Sequence, residues 1–270
     1  MNPPHLFQIQ SGGAAFPNPA LAIFLLTVFT AAWAPAAVVV WEPVSTIAGA
    51  SDVSTSGTLV KAFNLGGSNT TVNGITFTGD NLNGVTSGVL GTGSGSLSMQ
   101  TASNVWIGNI GAVFGSANSP FASLSAPYQA LLNTAMYAAN GSATYTLQSL
   151  VIGQAYLVQF WINDSRGTGS EGRYNQFTAG NFSGNVDVNA SNTVGGVGQF
   201  VIGTFVADAT TQAINVTAGF VSPSTSSVIQ LNGYQLRAIP EPSAALMVLV
   251  GMIALVWPRR SGERASELTR

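Results

Sequence analysis

Residues 155–162 read Ala-Tyr-Leu-Val-Gln-Phe-Trp-Ile. In a strand, successive side chains point to opposite faces. Tyr156, Val158, Phe160 and Ile162 therefore share one face, and Leu157, Gln159 and Trp161 share the other. Apolar residues on both faces place this strand at the centre of a sheet that is covered from both sides. Gly153 precedes it and the polar run Asn163-Asp164-Ser165-Arg166 follows it, so breaks bracket the strand.

Working outward, residues 143–150 give a strand just before it, and 173–178, 185–189, 199–206, 213–218 and 228–237 give strands after it. Their spacing of roughly 8 to 15 residues is that of a sandwich. Earlier in the chain, 58–64 and 71–78 alternate as strands, joined by a turn at Gly66-Gly67. Residues 81–95, rich in Gly and Ser, predict a long loop with short strand pieces. Residues 97–101 and 105–107 predict a small hairpin around 102–104. A helix starts at Ser125, a good cap, with Pro127 in its first turn. Tyr128, Leu131, Leu132, Ala135 and Met136 fall on one helical face, read as core packing, and Asn140-Gly141 ends the helix. No short fixed repeat points to a solenoid. The expected fold is mainly β. It is an antiparallel, jelly-roll-like β-sandwich with one short internal helix, flanked by N-terminal and C-terminal hydrophobic helices.

Composition limits the function. Charged residues are 7 % of the chain. Residues 37–238 hold seven acids (Glu42, Asp52, Asp80, Asp164, Glu171, Asp187, Asp208) and four bases (Lys61, Arg166, Arg173, Arg237), a net of −3. That is no footprint for nucleic acid. There is no cysteine and the single histidine is His5. Disulfides, thiolate metal sites and Ser-His-Asp or Cys-His machinery are thereby excluded from the body of the chain. No cofactor is expected. A carboxylate-pair hydrolase and a calcium site stay open on composition alone.

Residues 1–36 read as a secretory leader, with an apolar segment at 20–32 and an Ala34-Pro35-Ala36 cleavage site. The segment before the apolar run has no Lys or Arg, and 20–40 is also long enough for an uncleaved membrane helix. At the other end, Pro240-Glu241-Pro242 forms an extended break. Residues 244–257 carry no charge, and Arg259-Arg260 follow as a positive-inside stop. Fourteen helical residues span roughly 21 Å, short of a hydrocarbon core of about 30 Å.

This order, Pro240-Glu241-Pro242, apolar run, Arg259-Arg260, closely resembles the PEP-CTERM sorting signal of Gram-negative bacteria. The resemblance covers about the last thirty residues. It implies that Pro240, Glu241, Pro242, Arg259 and Arg260 are read by an exosortase. That membrane enzyme would cut near the Pro-Glu-Pro and pass the protein to the cell surface or the exopolysaccharide matrix. The implied parts are a signal peptide (1–36), a β-sandwich ectodomain (37–238), the sorting signal (239–260) and a cytoplasmic tail (261–270). The tail departs from the usual pattern, which stops soon after the basic cluster. Before processing, the chain would be held in the inner membrane.

A second resemblance runs from Leu147 through Gly153 to Asn163-Asp164-Ser165-Arg166, then Gly203 to Asp208 and Asn232-Gly233-Tyr234. These segments are similar to jelly-roll carbohydrate-binding modules of the galactose-binding type, which implies a glycan partner such as exopolysaccharide. The candidate ligand-binding residues lie on the loop Asn163–Tyr174: Asp164, Arg166, Glu171, Arg173 and Tyr174. The charged groups can grip sugar hydroxyls, and Tyr174 or Trp161 can stack on a sugar face. Equally, Asp164-Arg166 and Glu171-Arg173 can pair and merely order the loop. A calcium site at Asp164 or Glu171 has no EF-hand spacing behind it.

A glycosidase needs two carboxylates about 5 to 10 Å apart across a cleft, and nothing in the sequence marks such a pair. Ice recognition would need a regular threonine array, and no T-x-T ladder repeats here. The expected protein is a non-enzymatic surface or matrix component. The alternatives are a secreted carbohydrate-active enzyme and a structural matrix protein without a ligand.

Overall fold

All eight residues of Ala155–Ile162 are buried. A computed structural model of the protein describes residues 37–108, 113–139, 141–167, 169–180 and 184–240. Their strands, in chain order, are β1 (Val40–Trp41), β2 (Ser45–Thr46), β3 (Thr58–Leu65), β4 (Thr70–Val72), β5 (Ile75–Asp80), β6 (Val85–Leu90), β7 (Leu97–Gly108), β8 (Ala135–Ala139), β9 (Ser142–Gln148), β10 (Ala155–Ile162), β11 (Arg173–Thr178), β12 (Val186–Asp187), β13 (Gln199–Val206), β14 (Thr211–Phe220), β15 (Val228–Leu231) and β16 (Gly233–Ile239). Among the described residues the one α-helix is α1 (Ala126–Leu132). The expected leader, the apolar run at 244–257, and Glu241, Pro242, Arg259 and Arg260 lie outside the described residues, as do the two expected terminal hydrophobic helices.

The strands form two eight-stranded sheets. The first runs β1-β13-β10-β16-β3-β5-β4, with β2 also on β13; the second runs β12-β11-β14-β9-β7-β8-β15, with β6 on β7. The main core joins them. Phe160 of the first sheet stacks on Phe177 of the second at 5.1 Å, and Tyr145 and Tyr234 close around it at 5.9 and 5.6 Å. A second core covers the other face of the first sheet. There Tyr128, Leu131 and Leu132 of α1 pack with Phe77, Trp161 and Phe200. Trp161 donates from Nε1 to the Tyr128 hydroxyl at 3.1 Å, and that hydroxyl donates to Asp52 at 3.0 Å. The first sheet is thus covered twice, which is why β10 can be apolar on both sides. Among the described residues the second sheet has a core on one face only.

Four expectations are corrected. The helix ends at Leu132, and Ala135 and Met136 belong to β8, not to its apolar face. The cause is tertiary. β9 pairs with β7 only as far as Thr101, so β8 takes the edge from Val105 to Gly108 and satisfies backbone groups that burial would otherwise orphan. The expected hairpin at 97–107 is one twelve-residue strand, β7. Its Ala102-Ser103-Asn104 segment is where the partner changes from β9 to β8, not a turn. Residues 71–78 split into β4 and β5 at Asn73-Gly74, whose φ angles of 49° and 75° make a tight hairpin turn. β3 then pairs with β5 in parallel, while the other paired strands are antiparallel; an isolated bridge between Val39 and Gly180 is also parallel. Finally, residues 228–237 are two strands in different sheets. β15 pairs with β8, and after Asn232 the chain crosses so that β16 lies between β10 and β3.

Candidate functional site

The loop that leaves β10 is fixed from beneath. Asn163 is fully buried; its Oδ1 accepts from Gly198 N at 2.8 Å and its Nδ2 donates to the carbonyl oxygen of Phe114. Asp164 is next, with its side chain only 1 % exposed. The Arg166 guanidinium meets it in a fork, Nε to Oδ1 at 2.8 Å and Nη2 to Oδ2 at 2.6 Å. The same guanidinium lies 4.9 Å from the Phe114 ring centre. Hydrogen bonding to Asp164 raises the Arg166 pKa.

The other charges serve the loop too. Glu171 accepts from the Gly169 amide at 2.7 Å. Arg173 donates to the Ser226 carbonyl and hydroxyl at 3.2 and 2.9 Å, and burial lowers its pKa. Of the two ion pairs expected, Asp164-Arg166 forms, whereas Glu171 and Arg173 turn to separate partners. Trp161 is fully buried in the second core, so it offers no face to a sugar. Its hydrogen-bonding chain through Tyr128 also explains why it is held there.

Removing Arg166 therefore tests a structural role. A buried carboxylate left without its partner costs about 3 to 5 kcal/mol. The Arg166 side chain is 43 % exposed, so water can replace part of what it gives. Arg166→Ala is expected to lose about 2 kcal/mol in urea unfolding. The double change Asp164→Asn with Arg166→Gln should recover part of it. A loss below about 0.5 kcal/mol would mean that the pair does not hold the loop.

Tyr174 is the exception among the five residues. β11 turns Asn175 and Phe177 inward and Tyr174, Gln176 and Thr178 outward. The Tyr174 ring lies across Gly219 of β14, where a Cβ would sit 2.3 Å from the ring carbon Cζ. Any other residue at 219 would push the ring away. Asp187 of β12 stands opposite Tyr174 in register, so both side chains share that outward face. No described residue donates a hydrogen bond to the Asp187 carboxylate, and burial raises its pKa.

Beyond this pair, the outward face of the second sheet forms rows of hydroxyl and amide groups. Thr178, Asn215, Thr144, Gln100 and Ser87 lie at one level across β11, β14, β9, β7 and β6. One level toward Tyr174, Gln176, Thr217 and Ser142 follow. On the other side come Ala213, Thr146, Ser98 and Val89. Thr144 donates to Asn215 Oδ1 at 3.0 Å, and Gln176 to Asn185 Oδ1 at 2.8 Å. The inward residues of the same strands, Tyr145, Leu147, Ile214, Val216, Met99 and Phe177, are core. Of the strands that carry these rows, β9, β11 and β14 fall on expected strands, whereas β6 lies in an expected loop and β7 in an expected hairpin. Their neighbours, and the roles of Asp187 and Gly219, had no signal in the sequence.

Several acids carry structural work. Asp52 accepts from the Ala48 and Gly49 amides and from Tyr128, and Asp80 from the Asn81 and Gly91 amides. With Asp164 and Glu171 also bound, four of the seven acids have such partners. Among the described residues no three His, Asp or Glu side chains gather as a metal site would need. No helix among them is long and apolar enough to cross a membrane.

No protein-family model matches this chain, and no curated protein matches it. Three solved structures with some likeness are the plant receptor-like kinase ANX1, the ANXUR1 extracellular domain from Arabidopsis thaliana, and the plant receptor-like kinase ANX2. Their TM-scores are 0.44, 0.43 and 0.44, at 13 %, 12 % and 13 % identity, over 68 % of this chain. This chain spans 49 % of each of them, about half their length. At that level of similarity they bear on neither ligand nor activity.

Proposed function

We propose that this chain is an exported surface or matrix protein, delivered by an exosortase that reads its C-terminal signal, with a β-sandwich that holds polysaccharide. The observation that carries the reading is where the signal begins. β16 ends at Ile239, and Pro240 is the next residue. β16 is an interior strand, hydrogen-bonded on both sides by β10 and β3. The Pro-Glu-Pro segment thus starts where the ordered pairing ends, and a cut there would leave both sheets whole. The sandwich's low charge and its polar face, with Asp187 at one edge as its one charge among the described residues, suit a partner made of hydroxyl groups. The loop charges, being tied to Phe114, Gly169 and Ser226, favour a binding module over an enzyme.

Intact mass spectrometry of the protein recovered from the producing cell's envelope and medium tests the sorting part. The expected mass begins near Ala37 and ends near Pro240. A mass that keeps the chain through Arg270 would remove the main support for sorting.

A further inference from the structure

The outward face of the second sheet has a composition that selects a ligand class. Across β11, β14, β9, β7 and β6 the rows hold Thr, Ser, Asn and Gln, with Ala213 and Val89 at one margin and no Lys, Arg or Glu. Neighbouring strands are about 4.8 Å apart and alternate residues about 6.8 Å apart along a strand. The rows therefore form a grid of short groups, each able to donate and accept, roughly 20 Å wide across five strands. At one edge of the grid stand Tyr174, whose ring packs over Gly219, and the carboxylate of Asp187.

We infer that this face binds a neutral polysaccharide along its length. The inference rests on the polysaccharide reading above and names the surface and the glycan class. Each part of the face matches one property of such a chain. Hydroxyl and amide groups exchange hydrogen bonds with sugar hydroxyls without the desolvation cost of a charge. The Tyr174 ring offers a platform for the apolar face of a pyranose. The Asp187 carboxylate accepts from hydroxyl pairs in charge-assisted bonds. A polyanion meets no cation here and meets Asp187 as a like charge. Among the described residues the face has no walls, so it covers one side of each sugar and gains little from any one of them. Affinity has to be summed over several linked sugars, which selects a polymer over a free monosaccharide.

The test uses the full chain in mild detergent, co-sedimented with microcrystalline cellulose and with curdlan, and run by affinity electrophoresis against dextran and against alginate. Retention by at least one neutral glucan is expected, none by alginate, and no competition from glucose. Tyr174→Ala should lower retention at least tenfold. Thr217→Lys, an exposed change in the row nearest Tyr174, should do the same with an unchanged melting temperature. Thr76→Lys, which adds the same charge on exposed β5 of the first sheet, should leave retention as it was. Neutral-glucan binding that survives both face variants would overturn this assignment and leave the polysaccharide reading in place. Alginate binding in place of neutral binding would do the same. Failure to bind any of the four polymers would overturn both.

Discussion

Asn232→Leu is expected to remove a large part of the stability of the sandwich. Asn232 sits where the chain passes from one sheet to the other, and it is fully buried. Its Nδ2 donates to the carbonyls of Leu132, Thr134 and Asn163 at 2.8, 2.8 and 3.1 Å. Its Oδ1 accepts from Asn163 N at 2.7 Å and from Gln230 Nε2 at 3.2 Å. One amide thus ties together the end of α1, the end of β10 and the strand that crosses between the sheets. Leucine fills nearly the same space but satisfies none of these groups. Each buried group left without a partner costs about 1 to 3 kcal/mol. With two or three exposed to that penalty, the expected loss is about 4 kcal/mol, a large part of an ordinary total of about 5 to 15. Urea unfolding measures it, with Thr76→Ala, an exposed position on β5, as a control that stays within about 0.5 kcal/mol. A midpoint unchanged by Asn232→Leu would mean that the crossover is set by the apolar residues around it, Leu231 and Tyr234, and not by the amide.

The second large effect concerns delivery. Arg259→Glu together with Arg260→Glu should leave the sandwich folded and stop maturation. On the sorting reading, the basic pair holds the end of the apolar run on the cytoplasmic side. Reversing two charges next to that run removes the stop and puts acids where none is favoured. Western analysis of cell fractions should show the full-length chain accumulating and the processed form disappearing from envelope and medium. Processing at the wild-type level would remove the sorting reading and leave the sandwich's properties untouched. The two variants separate cleanly, since one acts on the fold and the other acts beyond the last strand.

Much of the sandwich was legible because strand alternation is local. β10, β11 and β13 fall on the expected residues 155–162, 173–178 and 199–206. Their side chains alternate against a core face or lie between two cores, and a period of two is visible in any window of six or more residues. The misreadings have a common source. Ala135 and Met136 fit a helical spacing, and Ala102-Ser103-Asn104 looks like a turn, but both lie against a strand edge whose needs no local window contains. Asn73-Gly74 is a hairpin signal that a longer alternating pattern obscured. Of the candidate loop, the clustering of charge was visible at once. Whether a charge faces solvent or a buried partner was not, because Phe114, Val188 and Ser226, which receive the loop, come from distant parts of the chain.

The sequence by itself determined a low-charge β protein without cysteine, a doubly covered central strand, one helix of core residues and a tail of Pro-Glu-Pro, an uncharged run and an arginine pair. Those properties depend on composition or on neighbours within a few residues. Only the tertiary structure decided which strands share a sheet, that Asn232 is the crossing point, and that Thr178, Asn215, Thr144, Gln100 and Ser87 stand in one row. The physical reason is that alternation sets which face a side chain takes, while its neighbours across the sheet follow from register. Register is fixed by how segments many residues apart bury their apolar sides against one common core.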